Sequence, residues 1–115
     1  MPFSQRDLSI IEKIYKYCIE IDDAHKAFNK SYESFVKETV YKNAVSLCIM
    51  QIGELSTHLS EEFKEKNHLI PWRQIKGMRN VVAHEYGSID TQIVWETATD
   101  NILEIKQFCE IILKK

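Results

Sequence analysis

The N-terminal stretch constrains the fold more than any other. Leu8, Ile11, Ile14, Tyr15, Cys18 and Ile21 step by threes and fours up to the acidic pair Asp22-Asp23, the spacing of an amphipathic helix with one face in a core. Ser4 is a good N-cap and Asp7 suits the first turn, so the helix is expected from Ser4 to about His25. Little downstream interrupts such spacing. The 115 residues include three Gly and two Pro, which leaves few places to turn and predicts long helices throughout.

After a connector over 28–30, Ser31 with Glu33 and Ser34 signals a short helix holding Phe35 and Val36. A long helix is expected over 37–60, with Val40, Ala44, Leu47, Cys48, Met50, Ile52, Leu55 and Leu59 as its apolar band. Gly53 lies inside it, where glycine costs about 1 kcal/mol relative to alanine. Close helix packing is the favoured reason, ahead of a functional approach. Glu54 beside it can line a site, although a lone carboxylate on a helix is usually solvated or paired.

The chain from Ser60 to Asn67 reads as a polar stretch. A further helix is expected to start with Pro71 at its first position and end near Tyr86, capped by Gly87. Asp90 should cap the last helix, which carries Ile93, Val94, Ala98, Ile102, Ile105, Phe108, Cys109 and Ile112 toward Lys114-Lys115. No strand pattern or repeat is visible. The expectation is a single all-α domain over 1–115, an up-and-down bundle of four main helices plus short helical segments.

A chain of this length buries one core without disulfides or metal. Cys18, Cys48 and Cys109 are an odd count, far apart among apolar neighbours, and read as small buried hydrophobes in a reducing cytosol. No run of apolar residues suggests an export signal or a membrane span. The net charge of −2 is no global footprint for nucleic acid. Any RNA contact must be local. Between Lys64 and Arg79 the bases Lys64, Lys66, Arg73, Lys76 and Arg79 face a single acid, Glu65; a candidate RNA-binding patch and a plain solvated face explain these equally well.

That patch leads into Arg79-Asn80-Val81-Val82-Ala83-His84-Glu85-Tyr86. Arginine is a permanent cation, histidine titrates near neutral pH and tyrosine offers a phenol. Chance would place some Arg five positions before some His in roughly one such chain in ten, and a Tyr two further on in about one in two hundred. RNA cleavage without metal needs a base for the 2′-hydroxyl, a cation for the charge growing on phosphorus oxygens and a donor for the leaving oxygen. His84 can be base or acid, Arg79 the phosphate ligand, Asn80 a support that positions phosphate or orients His84, and Tyr86 a hydrogen-bond donor. On a helix Asn80 and His84 lie about 40° apart but Arg79 and His84 about 140° apart. The separation makes better sense if the helix ends near the site, or if two copies face each other, so a homodimer is expected. His25, His58 and His68 have no matching partners in the sequence, and neither a metal site nor a cofactor is expected.

Arg79-Asn80-x-x-x-His84-x-Tyr86, together with Pro71-Trp72-x-x-Ile75-x-Gly77-Met78, Ile52-Gly53-Glu54, Ile89-Asp90 and Val94-Trp95, resembles the HepT-like branch of the HEPN superfamily over nearly the whole chain. The resemblance implies an all-helical, dimeric cytoplasmic protein, the toxin of a toxin-antitoxin pair whose antitoxin is a small MNT-type nucleotidyltransferase. It implies metal-independent ribonuclease activity through Arg79 and His84, and Tyr86 as the residue that the partner adenylylates to silence the toxin. The alternative is a non-catalytic helical module that binds the nucleotidyltransferase.

Overall fold

Ser4 accepts a hydrogen bond from the Asp7 N–H at 3.0 Å and starts helix α1 (Gln5–Ala27). The computed structural model describes residues 3–83 and 91–115, and among these every regular element is helical. Ser31 caps α2 (Tyr32–Lys37) in the same way, accepting from the Ser34 N–H. Helix α3 (Thr39–Ser56) follows, then α4 (Glu61–Lys66) and α5 (Trp72–Ala83). The last rod is continuous, from α6 (Thr91–Glu96) through a π-helical turn (Thr97–Asn101) into α7 (Ile102–Leu113). Four long elements thus form the bundle, with α2 and α4 as short additions. In space α3 packs against both α5 and α1, and α1 packs against α7.

Two expectations of length need correction. Helix α3 stops at Ser56 rather than Ser60, because Ser56 and Thr57 turn their hydroxyls back onto the carbonyls of Gly53 and Glu54, both at 2.7 Å. Ser60 begins a new helix within the stretch read as merely polar. Its Oγ accepts the Phe63 N–H at 3.1 Å and donates to Asp7 Oδ2 at 2.6 Å, while its own N–H bonds Asp7 Oδ1 at 2.9 Å. The buried Asp7 carboxylate therefore lies where α1 and α4 begin, next to the positive ends of two helix dipoles. Burial alone would raise its pKa, but the hydrogen bonds from Ser60 and Ser4 and the nearby Arg6 outweigh this and hold it below the usual value.

The core is built from Ile11, Ile14, Cys18 and Ile21 of α1, Val45, Ile49 and Ile52 of α3, and Val94, Ala98, Ile102, Ile105 and Cys109 of the last rod. All three cysteines are buried and unbridged; burial pushes the Cys48 thiol to about 11 and Cys109 to about 12, and raises Cys18 as well. They are inert packing residues. The apolar band of α3 departs from expectation. Tyr41, Val45, Ile49 and Ile52 face inward, whereas Val40 is 72% exposed, Leu47 is 52% exposed and Ala44 is open to solvent. The helix is apolar on more than one side.

The π turn has a specific use. Val94, Ala98 and Ile102 are spaced four apart, and on a regular helix two such steps would carry the last about 80° off the core face. Extra residues in the wide turn keep all three buried. Ala98 also presents its carbonyl to His25 Nε2 at 3.4 Å, while Tyr41 Oη lies 2.5 Å from His25 Nδ1. A carbonyl can only accept, so Nε2 carries the proton and Nδ1 accepts from the Tyr41 hydroxyl. Around this contact Phe28 stacks on Tyr41 at 4.6 Å, and Phe35 lies between Tyr41 and Trp95.

Burial lowers the pKa of His25 from 6.5, so the ring is neutral in the fold. Below pH 6.5 the unfolded chain binds a proton that the native chain refuses, and stability must fall as pH falls through that window. Thermal melts at pH 7.5 and 5.5 should show a larger loss for wild type than for His25→Gln, which itself should cost about 1–3 kcal/mol at the higher pH. Equal acid sensitivity in both proteins would count against a buried neutral His25.

Candidate active site

Helix α5 is anchored at its start. Trp72 donates its indole N–H to the Asn67 carbonyl at 3.1 Å and lies against Phe63 and Phe108 at ring distances of 6.0 and 5.7 Å. The Pro71 carbonyl accepts the Ile75 N–H at 3.0 Å, which makes proline the N-cap and Trp72 the first helical residue, one later than expected. Ile75 and Met78 are buried, and Arg79 follows on the flank that meets α3.

There the two backbones nearly touch. A Cβ built on Gly53 would lie 3.0 Å from Arg79 Cβ, 3.0 Å from Arg79 N and 3.0 Å from the Ile75 carbonyl. Close packing is therefore the reason for a glycine inside α3, as its sequence position suggested. The next residue reaches the other end of the same arginine: Glu54 Oε2 accepts from Arg79 Nη1 at 2.5 Å. Glu54 Oε1 lies 3.6 Å from Nε2 of His58, in the turn just past the end of α3. The hydrogen bond from Arg79, opposed by partial desolvation and aided by the charges of Arg79 and His58, holds the Glu54 carboxyl below its usual range. The Glu54 side chain is 46% exposed and that of Arg79 31% exposed, so the pair sits at an accessible surface.

Of the other motif residues, Asn80 is exposed on α5 beside Arg79. His84 and Tyr86 lie outside the described residues, as do the caps expected at Gly87 and Asp90 and the end of α5 near Tyr86. The basic stretch divides. Lys64 and Lys66 pair along α4 with Glu61 at 3.9 Å and Glu62 at 3.0 Å, two acids that lie just ahead of the stretch and were not counted against it. Arg73 and Lys76 are exposed on α5, the helix that carries Arg79. His68 meets the Glu65 carbonyl at 3.2 Å. Among the described residues no group of three or more His, Cys, Asp or Glu is gathered as a metal site, and no helix is long and apolar enough to cross a membrane.

The outer face of α3 gives the pair its setting. Val40, Ala44, Leu47, Gln51 and Glu54 alternate steps of four and three, which keeps them on one stripe of the helix. Its N-terminal half is exposed and apolar, and its C-terminal half carries the carboxylate that holds Arg79. A cleft of about 350 Å³, walled by Ile70, Met78 and Ile105 with Gln74, Thr97 and Asn101, lies on a different flank of α5 and does not include Arg79.

An all-α bundle that fixes a surface arginine by one helix crossing is the class of protein the geometry defines. The family model described as ribonuclease HepT-like matches residues 9–112, and the chain belongs to that family of ribonucleases. It is 35% identical over 111 residues to a provisionally described RNase of Methanocaldococcus jannaschii, covering 96% of this chain and 90% of that one. A provisionally described RNase of Caldanaerobacter subterraneus is 39% identical over 85 residues, 74% of this chain and 76% of its own. A protein of Thermococcus cleftensis, described as a probable ribonuclease HepT, is 31% identical over 75 residues, 65% and 68% of the respective chains. No solved structure gives a significant match.

The crossing generates a direct test. Alanine at position 53 gains about 1 kcal/mol of helix propensity, but its methyl group must push apart two backbones, at a cost of about 1–3 kcal/mol. Gly53→Ala should lower the melting temperature, in contrast to a glycine-to-alanine change in an open helix. A raised melting temperature would show that α5 yields easily there.

Proposed function

We propose that the chain is a metal-independent ribonuclease toxin that acts as a homodimer, cutting RNA with Arg79 and His84 of both subunits. The observation that carries this reading is the placement of Arg79, held at an accessible surface where an exposed apolar stripe ends. A second copy laid on Val40, Ala44 and Leu47 removes that stripe from water and brings two arginine sites toward one axis.

In that arrangement His84 removes the proton of the ribose 2′-hydroxyl, which attacks the neighbouring phosphorus and expels the 5′-oxygen of the next nucleotide. Arg79 stabilises the charge that grows on the phosphorus oxygens, and the second histidine of the dimer protonates the leaving oxygen. Asn80 supports the phosphate or the His84 ring. Arg73 and Lys76, exposed on the same helix, extend the cationic surface along the RNA backbone, with Lys64 and Lys66 at its margin. A nucleotidyltransferase antitoxin of the MNT type silences the enzyme by adenylylating Tyr86, because the added nucleotide brings negative charge and bulk to a site built for RNA phosphate.

One variant set tests the reading, using purified protein with an RNA pool in excess chelator. Wild type should cleave; His84→Ala should be inactive with its helical spectrum intact; Leu47→Glu should sediment as a monomer and lose cleavage. With the nucleotidyltransferase and ATP, wild type should gain nucleotide mass and stop cleaving, while Tyr86→Phe should do neither. Equal inertness of unmodified wild type and His84→Ala would replace the ribonuclease with a binding module. Cleavage by a monomeric Leu47→Glu would remove the dimer from the mechanism, and labelling of Tyr86→Phe would move the modification elsewhere.

A further inference from the structure

Arginine is a poor fixed electrode unless something holds it. Its side chain carries about 2 kcal/mol of rotamer entropy, and a free guanidinium at a surface samples many positions. In this chain two consecutive residues of α3 hold one arginine at both ends. Gly53 lets the α5 backbone approach until Arg79 N and Cβ would sit 3.0 Å from any Cβ placed there, and Glu54 takes Nη1 at 2.5 Å. The root is set by a missing side chain and the tip by a present one.

The contact leaves the guanidinium useful. Glu54 engages one N–H of a group that has five, and Arg79 is still 31% exposed. The turn that closes α3 also bears on Glu54: its second oxygen faces His58 at 3.6 Å, and its backbone carbonyl accepts the Thr57 hydroxyl at 2.7 Å. We infer that Glu54 is a positioning residue for Arg79, fixing the guanidinium in the orientation from which its remaining donors meet an RNA phosphate. The inference rests on the proposed ribonuclease function for its consequence, but not for its geometry. The role assigned to Glu54 is indirect. Its effect runs through Arg79, and it should act on the step in which charge grows rather than on RNA capture, to which Arg73 and Lys76 also contribute.

Arginine side-chain NMR combined with single-turnover cleavage tests this. The chain has three arginines, and the exposed Arg6 and Arg73 serve as mobile references beside Arg79. Arg79 Nε should relax as an ordered group in wild type and as a mobile one in Glu54→Ala, with melting temperature and oligomeric state little changed. The same variant should lose about 100-fold in the cleavage rate constant, the scale expected for a displaced catalytic group, with a much smaller change in KM. Glu54→Gln keeps an acceptor oxygen at the same reach and should restore part of both the order and the rate. An Arg79 equally ordered without Glu54, or a loss confined to KM, would overturn the positioning role. Wild type inert on every RNA would overturn the ribonuclease reading instead, and the relaxation of Arg79 would still decide whether Glu54 holds it.

Discussion

The crossing of α3 over α5 at Gly53 is the constraint on which the site depends. Backbone atoms of α5 stand where a methyl group would go, so the separation of the two helices is set by hard contact and not by adaptable side chains. A glycine inside a helix is unfavourable by about 1 kcal/mol, and that cost is offset because the approach fixes an arginine whose tip the next residue can reach. Any larger residue at position 53 would move Arg79 relative to Glu54 even if both side chains were kept.

The rest of the molecule defends this crossing from a distance. Trp72, bonded to Asn67 and packed on Phe63 and Phe108, fixes where α5 begins, so the helix reaches Gly53 in a set register. At the other end of the bundle His25 ties α1 to α3 through Tyr41 and to the π turn through Ala98. The wide turn keeps Ala98 and Ile102 on the core side of the last rod. Tyr41 and Trp95 share the surrounding aromatic cluster, so the start of α3 and the last rod cannot shift independently.

The helices were legible in the sequence where a single signal decided them. Ser4 and Ser31 cap as their chemistry requires, the cysteines are buried, and Gly53 marks a close contact. Helix α3 was harder for a physical reason: it is apolar on two sides, and the stripe through Val40, Ala44 and Leu47 fits helical spacing as well as the one through Tyr41, Val45, Ile49 and Ile52. Periodicity finds such a helix without saying which side is the core. Helix α4 was missed because its one turn and a half is too short to show a period, although Ser60 followed by two acids is a start signal. The partner of Glu54 was not legible at all. Arg79 lies 25 positions away on another helix, and no spacing rule reaches that far.

That ion pair also bears on how a chain with a net charge of −2 suits a nucleic acid. Attraction to RNA in general is served by a broad excess of basic charge, which the overall balance does not supply, and Lys64 and Lys66 are matched in part by Glu61 and Glu62. Catalysis needs something different, namely a cation that matters more to the transition state than to the ground state. An intact phosphodiester carries one negative charge, and more develops on its oxygens as the 2′-oxygen attacks. A guanidinium partly balanced by Glu54 attracts the intact linkage only modestly, yet its free donors stand ready for the added charge without first reorganising. Under the proposed mechanism the acidic neighbour that tempers general binding suits a site selective for the reaction, and it lies on the short stretch of α3 that also sets the helix crossing.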